Sequence, residues 1–423
     1  MKLLINATYL DHNFNVCHGH ILIKGNRVIQ VEENMSKLPQ CEDVTDCHGL
    51  IITPGFVNAH FHSGSNSARG LSQEMGIFEW GNDTEQGKIQ NILYDHVDKY
   101  LSDDEYKVIV QMGLIELLKQ GVTSVIDSGF AERSLSPTIA AFKSLGLRSV
   151  LDAYDNYPSL HDKGSDLIKF AAHIDEEEDL NKEVIAKATE MKLDYNPVFL
   201  SHSMENLERK KMVYEKFKCS SVEVHNRHGL LDHKTVLFHG TVYSVDDIKI
   251  LSKTHSSLVH CPESNFTTSS GIAPIQDCLR EGVNVCLGTD WANTRYWELM
   301  RLTYELLKIN AGVKEFNAKT VFKMATTNGY KAMNLNEDIS IRVGSLADFS
   351  FISLESPELQ PLVCTAHFDN YCHNLLMNGE QSEVVHVMVN GEWILKSSII
   401  VNVDEEKIKE SYKSILDKVF THA

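Results

Sequence analysis

The middle of the chain repeats one unit: a short apolar run, a polar side chain at its end, and then a helical pattern. The polar residues that end these runs are His60, His62, His173, His202, His239, His260 and Asp290. Alternating strands and helices predict a parallel sheet. The number of units, and the absence of a glycine-rich dinucleotide fingerprint, favour an α/β fold with a closed (β/α)8 TIM-type barrel over an open doubly wound sheet. In such a barrel all these strand ends face one mouth, where active sites lie.

The first of these runs, residues 50–57, leads into Asn58-Ala59-His60-Phe61-His62. Side chains two residues apart on a strand point to the same face, so the two imidazoles project together. Paired imidazoles form half of a metal site, because zinc, iron and nickel all accept neutral imidazole. For this pair alone, two histidines on a surface loop would be the plain alternative. Six strands that end in histidine or aspartate make coincidence a poor explanation for the whole set.

Both ends of the chain have the pattern of short strands without helices between them. Gly25-Asn26 and Asn390-Gly391 are hairpin signals between apolar runs. We therefore predict a small β-sandwich domain built from residues 1–53 and 342–400, and a barrel formed by residues 54–341. Residues 401–423 are predicted to contribute a helix, from Glu405 to Phe420, whose apolar face packs on the body.

The net charge of the 423-residue chain is −18, and its Lys and Arg residues form no cluster. Nucleic acids and anionic membranes both reward basic clusters, so neither is an expected partner. The densest acidic run, residues 175–179, is interpreted as the solvated start of a helix. Nine cysteines without disulfide spacing, a polar N-terminus and no long apolar stretch predict a cytoplasmic protein that does not enter a membrane.

Several stretches resemble the amidohydrolase superfamily, most of all its aminohydrolase branch. They are Pro54-Gly55-Phe56-Val57-Asn58-Ala59-His60-Phe61-His62, His202-Ser203-Met204-Glu205, Leu237-Phe238-His239-Gly240, His260-Cys261-Pro262-Glu263-Ser264-Asn265-Phe266, Ser270-Gly271-Ile272-Ala273-Pro274, Gly288-Thr289-Asp290 and Gly344-Ser345-Leu346-Ala347-Asp348. That branch contains the S-adenosylhomocysteine/methylthioadenosine deaminases, guanine deaminase and the chlorotriazine hydrolases. The resemblance covers nearly the whole chain and implies a barrel with a β-sandwich made from both ends.

The resemblance also implies a metal centre and its chemistry. Its metal ligands would be four residues that bind one divalent ion, with zinc expected and Fe²⁺ as the alternative: His60, His62, His202 and Asp290. Glu205 would be the general acid/base, and His239 would polarise the attacking water or stabilise the tetrahedral intermediate beside Asp290, which can accept a proton. No lysine ends the fourth strand, where His173 falls, and this favours the one-metal branch. Asn265 is interpreted as a residue that shapes its loop.

The substrate pocket departs from the family pattern. Nucleoside-deaminating relatives read Gly-Thr-Asp-Gly after the eighth strand, whereas this chain has Trp291 after Asp290. The loop after His173 lacks the usual Ser-Pro-Tyr, and Asp98 takes the place of a ribose-binding glutamate. By resemblance or position, His173, Trp291 and Asp98 are the expected substrate contacts. Trp80, Trp291 and Trp297 would either stack on a flat heterocycle or pack their loops.

These observations leave three hypotheses of function. The first is hydrolytic deamination of an amino-substituted N-heterocycle, such as a purine, pterin, pyrimidine or nucleoside. The second is hydrolysis of another C–N or C–Cl bond, as in triazines or amides, by the same machinery. The third is a binding protein without turnover, which the presence of every ligand and of Glu205 disfavours. A small heterocycle is therefore the expected partner, and a homo-oligomer is implied only by the resemblance.

Overall fold

The computed structural model describes residues 1–33, 39–41, 43–174 and 176–421. Two sheets and a shell of helices make up this part of the chain. The strands are β1 (Lys2–Leu10), β2 (Val16–Lys24), β3 (Arg27–Glu32), β4 (Asp43–Asp46), β5 (Leu50–Pro54), β6 (Phe56–Phe61), β7 (Val122–Asp127), β8 (Arg148–Asp152), β9 (Ile168–His173), β10 (Phe199–Ser203), β11 (Thr235–His239), β12 (Ser257–His260), β13 (Asn284–Leu287), β14 (Phe349–Ser353), β15 (Val384–Val389), β16 (Glu392–Lys396) and β17 (Ile399–Ile400).

The α-helices lie mostly between strands β6 to β13 and after them. They are α1 (Glu85–Asp95), α2 (Asp103–Lys119), α3 (Ser136–Leu145), α4 (Tyr157–Leu160), α5 (Lys182–Tyr195), α6 (Leu207–Phe217), α7 (Ser221–Arg227), α8 (Val245–Thr254), α9 (Pro262–Thr267), α10 (Ile275–Arg280), α11 (Tyr296–Ala311), α12 (Ala318–Ala325), α13 (Thr327–Ala332), α14 (Tyr371–Asn378) and α15 (Glu405–Phe420). No helix among the described residues has both the length and the apolar character needed to cross a bilayer.

Strands β6 to β13 form a parallel sheet of eight strands in which each strand pairs with the next along the chain. A bridge between Phe61 and Asp290, with the amide of Asp290 donating to the carbonyl of His60 at 2.9 Å, joins the last strand to the first. This closure confirms the predicted parallel barrel. It also brings Asp290 beside the end of β6, although the two lie more than two hundred residues apart in sequence.

The second sheet has nine strands, contributed by both ends of the chain. Its order is β17-β16-β15-β14-β5-β1-β2-β3, and β4 pairs with β1. The two predicted hairpin turns meet each other, because the side-chain amide Nδ2 of Asn26 donates to Oδ1 of Asn390 at 3.0 Å. A Cβ at Gly391 would lie 2.2 Å from the carbonyl oxygen of Gly25, which explains glycine there. The sheet therefore encloses its own small core, separate from that of the barrel.

Helix boundaries follow ordinary capping chemistry. Ser102 and Glu105 form a capping box at the start of α2. Gly146, with φ 77°, ends α3 in the left-handed conformation that glycine adopts without strain. Helix α15 spans the residues that the sequence predicts and packs on α2, where Lys119 forms an ion pair with Glu405. Residues 422 and 423, at the end of the proposed C-terminal segment, lie outside the described residues.

The interpretation of residues 176–179 as the solvated start of a helix is wrong, and Asp175 lies outside the described residues. Helix α5 begins only at Lys182, after its N-cap Asn181. Glu177 is only 1% exposed, and its carboxylate accepts hydrogen bonds from the amide of Met204 and the hydroxyl of Ser221. Burial raises the pKa of the Glu177 carboxyl to about 7. Glu177 is thus packed against the end of β10, Glu176 and Glu178 are partly buried, and only Asp179 of the described acidic residues is exposed.

Candidate metal centre and active site

Four predicted ligands meet at the mouth of the barrel. The carboxylate of Asp290 lies with Oδ1 at 3.1 Å from Nε2 of His60 and 3.2 Å from Nε2 of His62. His202, in β10, completes the group, and one ligand atom from each of the four residues lies within 4.8 Å of the others. Three imidazoles and one carboxylate are a donor set that zinc prefers.

The imidazole rings are oriented by partners behind them. Nδ1 of His62 donates to the carbonyl of Gly129 at 2.7 Å, and Nδ1 of His60 pairs with the hydroxyl of Ser128 at 3.2 Å. Because Nδ1 of each ring is occupied by a hydrogen bond, Nε2 is the nitrogen left to bind a metal ion. Nε2 of His60 is buried and forms no hydrogen bond of good geometry among the described residues, although Oδ1 of Asp290 lies 3.1 Å away, as expected of two atoms that would share a metal ion.

The pKa values of His60 and Asp290 also favour metal binding. Burial holds the pKa of the His60 imidazole well below its ordinary value, so the ring is neutral and can act as a ligand. Burial alone would raise the pKa of Asp290, but the imidazoles of His60 and His62 outweigh it and hold that pKa well below its ordinary value. A neutral imidazole at His60 and an ionised carboxylate at Asp290 are protonation states that bind a divalent cation. Burial alone would lower the pKa of His62, but the hydrogen bond and charge of Asp290 raise it, so a metal ion would have to displace a proton from that ring.

Glu205 and His239 stand beside this group. Nε2 of His239 lies 4.0 Å from Oε1 of Glu205 and 3.9 Å from Oδ2 of Asp290. The backbone at His239 and Asp290 has φ values of 70° and 61°, a left-handed conformation that such residues rarely adopt. Backbone outliers of this kind cluster at active sites, where the surrounding structure enforces them.

Asn265 lies in α9 and has a more direct role than shaping a loop. Its side-chain oxygen accepts a hydrogen bond from Nδ1 of His239 at 2.8 Å. This bond fixes the imidazole so that Nε2 points towards Glu205 and Asp290. The neighbouring Ser264 donates its hydroxyl hydrogen to Oδ2 of Asp290. The Pro-Glu-Ser-Asn stretch therefore orients two of the three residues predicted to be catalytic.

His173 ends β9 next to His202, with ring centroids 6.3 Å apart. Its Nδ1 lies 2.7 Å from Oδ2 of Asp152, and its Nε2 lies 3.7 Å from Oε1 of Glu176. Burial alone would lower the pKa of His173, but the charge and hydrogen bond of Asp152 outweigh it and raise that pKa to about 10. His173 therefore carries a proton that it can donate into the mouth.

The pairing with Asp152 leads to a test by pH. A raised pKa means that the pairing stabilises the fold fully below pH 6.5 and that the stabilisation is lost as pH rises through about 10. The difference in free energy of unfolding between the native protein and Asp152→Asn should therefore be largest at about pH 6 and close to zero at about pH 10.5. Urea unfolding at several pH values measures it, and a difference that does not change with pH would contradict the assignment.

The three tryptophans that the sequence singles out have different surroundings. Trp291 meets His62 edge-on with ring centroids 5.5 Å apart, and it packs against Trp80 at 4.9 Å. Both line a cleft of about 760 Å³. The four proposed ligands do not line it, but two of its lining residues contact them: Trp291 contacts His62, and Ser264 contacts Asp290. Trp297 is 1% exposed and packs edge-on against Phe56, so it belongs to the core and not to a substrate pocket.

Asp98 forms no hydrogen bond or ion pair with the four proposed ligands in the part of the chain that the structure describes. Asp98 lies in a short π-helical turn, His96–Tyr100, and accepts a hydrogen bond from the amide of Glu132 at 2.9 Å. Residues 128–132 follow β7 at the mouth, so Asp98 braces the loop that contains Gly129, the partner of His62. It does not line the cleft beside Trp291.

Sequence reasoning missed two residues of this site, Glu176 and Arg209. The guanidinium of Arg209 lies 2.8 Å from Oε2 of Glu205 and 2.9 Å from Oε2 of Glu176. Glu176 in turn lies 2.8 Å from Nδ1 of His202. The contact between Arg209 and Glu205 could have been predicted from their spacing of four residues in the sequence.

Comparison with known proteins agrees with this geometry. Residues 51–394 match the sequence family described as "Amidohydrolase family". The chain belongs to this family of hydrolytic enzymes. The 5-methylthioadenosine/S-adenosylhomocysteine deaminase of Pyrococcus horikoshii is 26% identical, over 98% of this chain and 100% of that protein.

Two solved structures share the fold. An adenosine deaminase from Xanthomonas campestris with bound zinc has a TM-score of 0.87 at 20% identity and covers 99% of this chain and 98% of its own. An atrazine chlorohydrolase from Arthrobacter aurescens complexed with zinc has a TM-score of 0.86 at 19% identity and covers 98% of this chain and 100% of its own. At these identities the likeness establishes a common architecture, and the chemistry must be argued from the residues of this chain.

Proposed function

We propose that the protein catalyses hydrolytic deamination of an amino-substituted N-heterocycle: a purine, pterin, pyrimidine or nucleoside. The observation that carries the proposal is the position of Glu205 and Asp290, whose carboxylates both lie within 4.0 Å of the same nitrogen of His239 beside the four-ligand group. General acid–base work on a C–N bond needs such groups around one small space. The deaminase relative named above supports the same assignment.

The metal centre of the proposal consists of His60, His62, His202 and Asp290, and one zinc ion per chain is the proposed occupant, with Fe²⁺ as the alternative. The donor set and the zinc-containing structures of the same fold support zinc. A bound divalent ion supplies Lewis acidity and lowers the pKa of a coordinated water towards neutrality.

The residues of the chain supply the proton transfers. Glu205 accepts one proton of the attacking water through Oε1, since Oε2 is engaged by Arg209, and passes it to the ring nitrogen as the C–O bond forms at the ring carbon. The second proton, on the added hydroxyl, passes through Asp290 to the amino group as the C–N bond breaks, so the products are an oxo-heterocycle and ammonia. His239, whose Nδ1 donates to Asn265, keeps Nε2 as an acceptor that can polarise the attacking water.

Substrate recognition is proposed to involve three further residues. His173, protonated through its pairing with Asp152, donates a hydrogen bond to a ring nitrogen or carbonyl. Trp291 stacks on the flat ring beside His62. Asp98 acts at a distance by bracing the loop of residues 128–132, or contacts a larger substituent. A cytoplasmic location is also proposed, since all nine cysteines are free.

Trp291→Ala is expected to raise KM for the heterocycle by roughly 3- to 10-fold with a smaller change in kcat, because an aromatic pair contributes about 0.5–1.5 kcal/mol to binding. Trp291→Phe keeps an aromatic face and should keep most of the affinity. Steady-state kinetics of both variants provide the measurement. Equal KM values for the native protein and the alanine variant would remove Trp291 from the substrate site.

The reaction itself is tested by a panel of amino-substituted purines, nucleosides, pterins, pyrimidines and triazines, with chlorinated and alkylamino triazines included. Ammonia, alkylamine and chloride are measured separately for each compound with zinc-loaded protein. Release of ammonia with formation of the oxo product is the expected result. Release of only chloride or alkylamine would assign the same machinery to another bond and refute deamination.

A further inference from the structure

The third metal histidine has an outer partner that the other two lack. Glu176 lies in the turn after β9, and its Oε1 is 2.8 Å from Nδ1 of His202. The corresponding nitrogens of His60 and His62 face a hydroxyl and a carbonyl group, both uncharged. A carboxylate behind a ligating imidazole fixes the ring orientation and makes the other nitrogen a better donor.

The carboxylate of Glu176 is itself held in place. Its Oε2 lies 2.9 Å from the guanidinium of Arg209, whose side chain is 7% exposed. The same guanidinium nitrogen contacts Oε2 of Glu205 at 2.8 Å. One buried arginine therefore joins the outer partner of His202 to the proposed general acid/base. A planar guanidinium suits this task because it presents several donors in fixed directions.

We propose that Glu176 is a positioning residue of the metal centre, which holds His202 with Nε2 towards the metal ion while Arg209 couples this arrangement to Glu205. The inference rests on the proposed metal site but not on the identity of the substrate. The proposal gives a function to the acidic turn after β9, which the negative charge of the turn does not indicate by itself.

Glu176 and His202 could also take part in a second cation site, which is an alternative to the positioning role. One ligand atom from each of His173, Glu176 and His202 also lies within 4.8 Å of the others, and the three could hold a second cation. Nδ1 is the atom of His202 that faces Glu176, so such a cation would have to share this imidazole with the first metal ion. The number of metal ions per chain separates the two arrangements.

The test compares Glu176→Ala with Glu178→Ala. Glu178 is a matched control because it lies in the same turn, contacts the same arginine at 3.0 Å and has the same side-chain exposure of 29%. Its contacts do not include His202 among the described residues. The dissociation constant of Zn²⁺ is measured by competition with a chromophoric chelator. We expect Glu176→Ala to bind zinc about 10- to 100-fold more weakly, and Glu178→Ala to stay within about 3-fold of the native protein.

A spectroscopic measurement distinguishes a changed orientation of the His202 imidazole from a general destabilisation of the fold. With Co²⁺ in place of zinc, the visible d–d bands should shift in Glu176→Ala and remain native in Glu178→Ala. Glu176→Gln keeps the size of the side chain, so its loss of zinc affinity and its shift of the Co²⁺ bands should be smaller than those of Glu176→Ala. This variant replaces Glu176→Ala in both measurements if the alanine variant does not fold.

Three results would overturn the inference: native zinc affinity in Glu176→Ala, an equal loss in Glu178→Ala, or two metal ions in the native chain with one lost in Glu176→Ala. None of these measurements needs a substrate. A failed search for deamination would therefore leave the role of Glu176 open to the same test, and a failed test would leave the deamination proposal in place.

Discussion

Glu205→Gln is expected to lower kcat by about 10²- to 10⁴-fold, which is the usual contribution of a general acid/base. Glutamine keeps the length and shape of the side chain but cannot take a proton from water and return it. The variant should fold and bind metal as before, because Glu205 is not among the four ligands. Measurement of kcat, KM and bound metal on the same sample separates chemistry from binding.

Glu178→Gln is the control for this experiment. Both glutamates contact Arg209, so both substitutions remove one negative charge from the same guanidinium. Only Glu205 also faces His239. We therefore expect near-native turnover from Glu178→Gln. Native turnover from Glu205→Gln would remove Glu205 from the mechanism.

His202→Ala is expected to weaken metal binding by more than about 100-fold, because loss of a ligand exceeds the 10- to 100-fold effect of losing an outer partner. Turnover should fall in proportion to the metal that is lost. Removal of metal from the native protein with a chelator should abolish turnover, and added zinc should restore it. Elemental analysis after dialysis gives the occupancy of each sample.

The matched control for this variant is His225→Ala. His225 lies in α7, and it too is a buried imidazole, with a pKa lowered to about 4 by burial. Its substitution leaves a comparable cavity but removes no predicted ligand, so metal occupancy should stay native. Full occupancy in His202→Ala, or equal losses in both variants, would contradict the ligand assignment.

The sequence was sufficient for the parts of the site that follow from strand geometry. His60 and His62 could be paired from their spacing, because alternate residues of a strand share a face. Asp290 could be added because parallel strands that close a barrel end at the same mouth. His239 could be placed at the mouth in the same way, whereas Glu205 and the catalytic roles of both residues came from the resemblance. The family match confirms the class of protein.

The parts that could not be predicted depend on contacts between elements. Glu176 looks like a solvated acid until β9 and β10 are placed side by side and the turn folds over His202. Trp291 and Trp297 are equivalent in sequence terms, but α11 begins at Tyr296 and buries Trp297 in the core. The role of Asn265 required the distance to His239. Composition and periodicity carry no information on such pairings.

Anomalous scattering from a crystal of the zinc-loaded protein tests the central claim most directly. The claim is that one metal ion per chain binds between His60, His62, His202 and Asp290. The predicted result is a single anomalous peak within bonding distance of the three Nε2 atoms and the Asp290 carboxylate. The absence of a peak there, or a peak only beside His173 and Glu176, would contradict the account.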